Sequence, residues 1–505
     1  MNGTSTIELD RLNNSPYKDL YIPPVPEPGK PPVKPRAFRT IFFKDFSNTI
    51  WHATNTITLG GSNPVEAKHE LYGTQKNALV ITYDVPENID ILIETTCVMN
   101  TPKAWIKKAF EGKARIRWGL NLGPSGIYAT TFKSGDTFLD GFSGGWMKTF
   151  YNWAISQSES ECVSESIGNV PELTDWSMTS IDAKELRFTI PYFYGYPEDR
   201  LSGAFPIFLL GEKGKLTKTL TIPAKFTESL LQVELSNDGK VWKPAPAKYF
   251  NDIVAIGEHG HPVLSLYYGM LTQDEKESYY FGEDEKGNTF EHLKHVYPIH
   301  HVIEIKAHNV TKPGMNAAVP INTGPALAFF ANGVNLDSVA NKETSNYTTN
   351  AENPKEGVSS IAKVDFFYDK TLRLTLTPSM MKQMETLRHV PGKPKLPGAF
   401  FGAITHRPFR THGMVGEVPD KTTPDMLVCT YTGITGKKEE IEETVDPSEL
   451  IDRVMSNDLS SLRLEKHEHS STNGYATEVF VLVHRNLEFA RISNDKVPVY
   501  SVKTH

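Results

Sequence analysis

Gly141-Phe142-Ser143-Gly144-Gly145 satisfies G-x-S-x-G, the pattern that in α/β-hydrolases exposes a strained nucleophilic serine between a strand and a helix. That chemistry also needs a parallel sheet fed by repeated strand–helix units, with an acid and a histidine downstream. The chain has almost no second crossover helix, so Ser143 reads as a helix-capping residue with glycines at a tight entry. His259-Gly260-His261 sets two imidazoles at metal-ligand spacing. The carboxylate that would complete a two-histidine, one-carboxylate site is missing, because Ser265 and Leu266 stand where it should follow. His292, His295, His300 and His301 are dense, but no carboxylate or cysteine pattern joins them. They read as surface or interface histidines, with a pH-sensitive contact as the functional alternative. Gly211-Glu212-Lys213-Gly214-Lys215 lacks the glycine spacing of a phosphate loop, and there is no dinucleotide fingerprint. The Lys and Arg residues from Lys103 to Arg117 could meet phosphate, but a solvated face beside a strand edge accounts for them. We therefore assign no catalytic, cofactor-binding or metal-ligating residue, and expect no enzyme.

Composition narrows the classes further. A chain of 505 residues with 36 Gly and 34 Pro favours many turns over long helices, and is long enough for two large β barrels. The net charge of −7 argues against a surface dedicated to nucleic acid, and no specific nucleic-acid partner is expected. Cys97, Cys162 and Cys429 are odd in number and far apart, so neither a disulfide framework nor a zinc site is expected, and folding is read as taking place in a reducing compartment. No run of about 18 apolar residues is present and the N-terminus lacks a signal pattern, so a membrane-spanning or secreted chain is not expected. The sequons at Asn309 and Asn346 then read as accidental.

The elements that would position these residues are mostly strands. Ile116, Trp118, Leu120 and Leu122 alternate with Arg115, Arg117, Gly119 and Asn121, the period of a half-buried strand. Gly123 to Gly126 reads as a turn, Ile127 to Phe132 as a second strand, and Ser134 to Asp136 as a second turn. Asp140 and Ser143 offer N-cap oxygens to a helix in which Trp146, Phe150 and Trp153 recur. Residues 1–36 read as an arm, with seven prolines between Pro23 and Pro35. Thr101 to Gly112 has the spacing of a short helix, Ser156 to Ser180 reads as loop, and Pro378 to Leu387 as a helix. Leu216, Lys218, Leu220 and Ile222 alternate with threonines, a strand with one wet face. Asp337 to Ser360 is polar and reads as a long exposed loop, with Asn341 to Gly357 as candidate outer surface. The acidic stretch 437–450 reads as a solvated helix or loop. In sum, the chain reads as two successive sets of about eight strands, each with long insertions.

The order of these segments resembles a family. Ser134-Gly135-Asp136-Thr137-Phe138-Leu139-Asp140, followed by Gly145-Trp146-Met147, is similar to a strand end and Trp-bearing helix of the double jelly-roll major capsid proteins of icosahedral double-stranded DNA viruses. This is the group of nucleocytoplasmic large DNA viruses, virophages and polinton-like elements. Ile190-Pro191-Tyr192-Phe193-Tyr194 and Gly203-Ala204-Phe205-Pro206-Ile207 resemble the next segments. An acidic turn from Leu271 to Glu277, ahead of Tyr279, Tyr280 and Phe281, resembles the link between barrels, and His484-Arg485-Asn486-Leu487 the closing strands. Thr405 to Pro408 and Thr411 to Gly413 stand where the family has a polar Pro-Ser-Gly segment.

The resemblance implies an all-β chain: two consecutive eight-stranded jelly rolls with inserted loops and a few short helices. Its divisions would be a proline-rich N-terminal arm (1–36), a first jelly roll (37–290) and a second (291–505). It implies a major capsid protein whose homotrimers form pseudo-hexagonal capsomers tiling an icosahedral virion, assembled in host cytoplasm or nucleus. The partners it implies are the chain itself, neighbouring capsomers, penton and minor capsid proteins, and contact with an internal membrane. No cofactor is implied. Two rivals stay open: a minor capsid or scaffold protein of the same fold, and a carbohydrate-binding β-sandwich protein.

Overall fold

Leu216, Lys218, Leu220 and Ile222 are buried and the intervening threonines half-buried in the strand Leu216–Pro223 of the computed structural model, as their period requires. The structure describes residues 38–41, 46, 54–153, 160–194, 201–210, 215–283, 287, 289–312, 315–323, 326–368, 370–380, 426–432, 434, 472–491 and 500–504. The N-terminal arm, most of the expected helix at 378–387, and the stretches 405–413 and 437–450 lie outside the described residues.

Eight strands in chain order build a first sandwich: Thr54–Leu59, Thr74–Asp84, Ile91–Thr101, Ala129–Ser134, Thr137–Ser143, Lys184–Thr189, Leu216–Pro223 and Val263–Gly269. Numbered one to eight, they pair in the spatial orders six-three-eight-one and two-seven-four-five, with Val65–Leu71 added beside the second strand. A second set repeats the plan: Lys294–Lys306, Asn316–Pro320, Ala326–Asn335, Ile361–Tyr368, Thr371–Leu376, Met426–Tyr431 and Tyr475–Arg491. If Met426–Tyr431 and Tyr475–Arg491 take the seventh and eighth places, the orders are one-eight-three and two-seven-four-five. Phe38–Thr40 joins the free edge of Lys294–Lys306 in parallel. Each set is thus a pair of facing antiparallel sheets with Greek-key crossovers.

Tyr475–Arg491 is buried without alternation from Tyr475 to Val483, because both of its faces are covered. Val479, Val481 and Val483 enter the core of the second sandwich. Phe480 and Leu482 enter the core of the first, which therefore continues across the boundary.

Several local expectations change. Thr137–Ser143 is a strand, paired with Ala129–Ser134, so Asp140 lies within a strand instead of capping a helix. Gly123 to Gly126 is mostly a single helical turn, Leu122–Ser125. Thr101 to Gly112 forms a short strand, Ala104–Ile106, and a 3-10 turn, Lys108–Phe110. Pairing with Ser180–Ile181 and Val254–Ile256 outweighs the helical spacing there. The expected loop at 156–180 holds the helices Ser160–Ile167 and Pro171–Thr174. The acidic turn is a helix, Gln273–Tyr280, started by a capping box between Thr272 and Glu275. The helix expected after Ser143 is present as Gly144–Trp153.

Candidate functional site at the seam between the sandwiches

The stretch that suggested a hydrolase lies where the two sandwiches meet. A Cβ on Gly145 would collide with the Glu478 carboxylate of the second sandwich, so this glycine permits close approach of two chain segments. Ser143 faces Glu304 without reaching hydrogen-bond geometry, and burial raises the Glu304 carboxyl above its ordinary value. The histidine and acid nearby pair with each other, three residues earlier on both strands. His301 Nδ1 lies 2.7 Å from Asp140 Oδ1, and both side chains are buried. A serine–histidine–acid relay is therefore not assembled: the histidine is bonded to the acid on one strand, and the serine sits beside a different acid.

Asp140 has a positional task. Its carboxylate also accepts from the backbone N–H groups of Gly141 and Phe193. Phe193 and Tyr194 adopt left-handed backbone angles, φ 55° and 47°, which are costly for aromatic residues. The buried acceptor helps hold that bend, and the bend stacks Phe193 on Phe205, with centroids 5.4 Å apart. Next to it, the Lys218 ammonium is fully buried, 3.8 and 3.7 Å from the ring centroids of Phe132 and Tyr192. Desolvation pulls this lysine well below its ordinary pKa, and the Asp140 charge acts in the opposite direction.

The helix Gly144–Trp153 is the mechanical link. Trp146 is wholly buried, with ring centroids 5.9 Å from Tyr194 in the first sandwich and 5.3 and 5.6 Å from Phe330 and Phe480 in the second. Lys148 Nζ donates to Tyr72 Oη at 2.9 Å and to the Thr344 carbonyl at 2.8 Å. Thr149 Oγ1 accepts from Asn332 Nδ2 at 2.8 Å.

A second tie comes from the segment expected to be an outer loop. Glu343, Ser345, Asn346, Thr348, Thr349 and Asn350 are buried, which overturns the reading of outer surface for that half of Asn341 to Gly357, while Glu352, Asn353, Lys355 and Glu356 are exposed as expected. Glu343 accepts from the Leu120 and Ser345 backbone N–H groups, both at 2.9 Å. Lys342 Nζ donates to the Leu231 carbonyl at 3.1 Å, and Asn121 Nδ2 to Ser345 Oγ at 3.2 Å. Asn346 is engaged with Ser338 Oγ and the Asn350 carbonyl, both at 2.7 Å, so this sequon is folded inward.

The remaining candidates disperse. His259 and His261 lie on an exposed loop. His295 Nε2 lies 2.8 Å from the Tyr279 carbonyl, and His300 faces His484 across a strand pair, with rings 5.9 Å apart. Among the described residues no cluster of three His, Cys, Asp or Glu could hold a metal. Cys97 and Cys429 are buried, and burial raises the Cys429 thiol to about 12.

No family model matches the chain, and no curated protein matches it. Solved structures do. The chain is similar to the Faustovirus major capsid protein at 8% identity and a TM-score of 0.53, over 86% of this chain and 90% of that one. It is similar to PBCV-1 VP54, as fitted into a reconstruction of the virophage Sputnik, at 12% identity and a TM-score of 0.52, over 89% and 96%. A third match, from the quasi-atomic model of the PBCV-1 virus capsid, has 11% identity and a TM-score of 0.51, over 86% and 94%. The chain folds as a double jelly roll.

Within the double jelly roll, the seam residues were the hardest to find from sequence. The Asp140–His301 contact joins positions 161 apart, and no local pattern reports it. Asp140→Ala would leave His301 and the Phe193 N–H buried without their acceptor. The expected loss is about 3–5 kcal/mol, measured by urea unfolding at neutral pH. A loss below about 1 kcal/mol would show that the carboxylate does not hold the aromatic bend.

Proposed function

We propose that this chain is a major capsid protein, whose trimers form pseudo-hexagonal capsomers of an icosahedral virion. The observation that carries the reading is the repeated strand order in two sandwiches locked through a buried seam. A shell needs a subunit that keeps its outline under load. Two jelly rolls joined by Trp146, Asp140–His301 and the Glu343 segment supply a rigid block, with edges turned into closed sandwiches. The similar structures named above are capsid proteins, and the match spans nearly all of their length. On this reading the first jelly roll occupies 37–290 and the second 291–505. Residues 1–36 form an arm reaching a neighbouring capsomer or the shell interior. Other capsid components, a penton and minor proteins among them, and an internal membrane complete the list of partners. Assembly takes place in host cytoplasm or nucleus.

Light scattering after size exclusion tests the proposal. A stable mass near three times 56.5 kDa, or larger particles built from it, is expected, with a hexagonal outline by electron microscopy. Deleting residues 1–36 is expected to leave the trimer and impair the shell. A monomer that resists assembly under all conditions would overturn the capsid reading. Normal shells from the truncated chain would remove the role of the arm alone.

A further inference from the structure

The strand Phe38–Thr40 is three residues long and lies at a sheet edge, where among the described residues it pairs with Lys294–Lys306 alone. So short an edge strand adds little ladder of its own, and its side chains must help to hold it. Arg39 does so at the end of the helix Gln273–Tyr280. Its Nη1 donates to the Ser278 carbonyl at 2.6 Å, and its guanidinium lies 4.7 Å from the Tyr279 ring centroid. Carbonyls in a last helical turn lack partners within the helix, and the dipole there favours a cation. Ile41, just past the strand, is fully buried and donates its N–H to the Val296 carbonyl at 2.9 Å.

Histidines serve the same helix end. His295 stands opposite Arg39 in register, so the two side chains leave one face of the sheet. His295 Nε2 lies 2.8 Å from the Tyr279 carbonyl. The His292 N–H donates to the Tyr280 carbonyl at 2.8 Å, and its ring lies 5.7 Å from that of His295. Both histidines are buried. Three groups able to carry positive charge thus crowd a helix terminus equivalent to about half a negative charge. The other groups around them are already engaged. The strand on the far side places Phe489 opposite His295. Glu488 pairs with Lys294, and Glu291 with Arg491. On the helix, Glu275 closes the capping box, Lys276 pairs with Asp90, and the Tyr280 hydroxyl donates to the Phe208 carbonyl. Among the described residues no carboxylate charge favours a charged His295. Burial lowers it to about 4, the His292 and Arg39 charges act in the same direction, and the Tyr279 carbonyl acts against them.

We propose that protonation of His295 ejects residues 38–41 from the sheet edge, making this strand an acid-released latch at the root of the N-terminal segment. Two cations then share one helix end, and Arg39 is the one free to leave. It is half-buried on a three-residue edge strand, whereas His295 sits in a strand of thirteen residues paired along its whole length with Tyr475–Arg491. Once the edge strand leaves, His295 meets water and returns toward its ordinary value near 6.5. Release therefore takes up a proton. Docking is strongest above about pH 6.5 and weakens as pH falls toward 4. Between pH 7 and 5 the released population is expected to rise about twentyfold.

Hydrogen exchange with mass spectrometry on the full chain tests the latch, each rate divided by its intrinsic rate at that pH. The amides of residues 38–41 are expected to lose protection about twentyfold from pH 7 to 5, and to stay less protected than Leu216–Pro223 at both, as local opening requires. His295→Gln keeps a donor for the Tyr279 carbonyl without taking up charge, and its loss over 38–41 is expected to be at most about threefold. Arg39→Gln, at the sheet edge, should leave the strand less protected at pH 7 and flatten its loss to below about fivefold. Protection of 38–41 that is independent of pH in wild type, that equals that of Leu216–Pro223, or that falls as steeply in His295→Gln as in wild type, would overturn the proposal.

Discussion

Trp146→Ala is expected to split unfolding into two transitions and to destabilise the protein by about 3–5 kcal/mol. Trp146 is fully buried, and its ring contacts span both jelly rolls. Removing the indole leaves a cavity whose walls belong to different sandwiches. Collapse would require them to shift as bodies, so little relaxation offsets the loss. Trp118→Ala is the control, because Trp118 is equally buried but packs on Phe226 within the first sandwich. It should cost a similar amount while leaving the transitions coupled. Scanning calorimetry distinguishes the two variants. A single transition in Trp146→Ala, broadened no more than in Trp118→Ala, would show that the seam is held by other contacts.

The second large effect is acid lability carried by three histidines. Burial lowers His295 to about 4, His300 to about 3 with help from His484, and His484 to about 4. Each folded value lies below the unfolded one near 6.5, so as pH falls the unfolded chain takes up protons first. The stability these groups contribute is complete above about pH 6.5 and is lost as pH falls toward 3–4. At up to about 1.4 kcal/mol per pH unit for each group once the unfolded histidine charges, discounted for the partial exposure of His300 and His484, the loss from pH 6.5 to 5 is roughly 3–5 kcal/mol. Glu304 and Glu343, whose carboxyls burial raises, act in the opposite sense. A histidine variant therefore isolates the effect. His300→Gln should lose about 2 kcal/mol less than wild type between pH 7.5 and 5 in urea unfolding. Parallel pH curves for the two proteins would refute this account.

Much of the scaffold could be read from local pattern. The alternation in Leu216–Pro223 and the aromatic spacing after Ser143 reported a strand and a helix directly, since one buried face sets the period. The helix Gln273–Tyr280 was missed although its capping box, Thr272 with Glu275, is written in the sequence. Residues 337–360 misled for a different reason. Their polarity suggests solvent, yet Asn346, Thr348 and Asn350 satisfy one another inside the protein, and Glu343 and Ser345 bond to the first jelly roll. Polarity reports the need for hydrogen bonds, and leaves open whether water or protein meets it. The seam was illegible because its pairs, Asp140 with His301 and Leu120 with Glu343, join residues far apart in the chain.

The parallel pairing of Phe38–Thr40 with Lys294–Lys306 bears on how the chain is made. The strand Phe38–Thr40 waits for a partner made about 250 residues later, roughly 12–50 s at ordinary elongation rates. Lys294–Lys306 in turn waits for Tyr475–Arg491, so the second jelly roll closes only once that later strand has been made. Such high contact order predicts slow folding, and a strand edge that stays exposed until its distant partner is made. A cell making this protein at high levels would therefore depend on chaperones that shield the nascent second half.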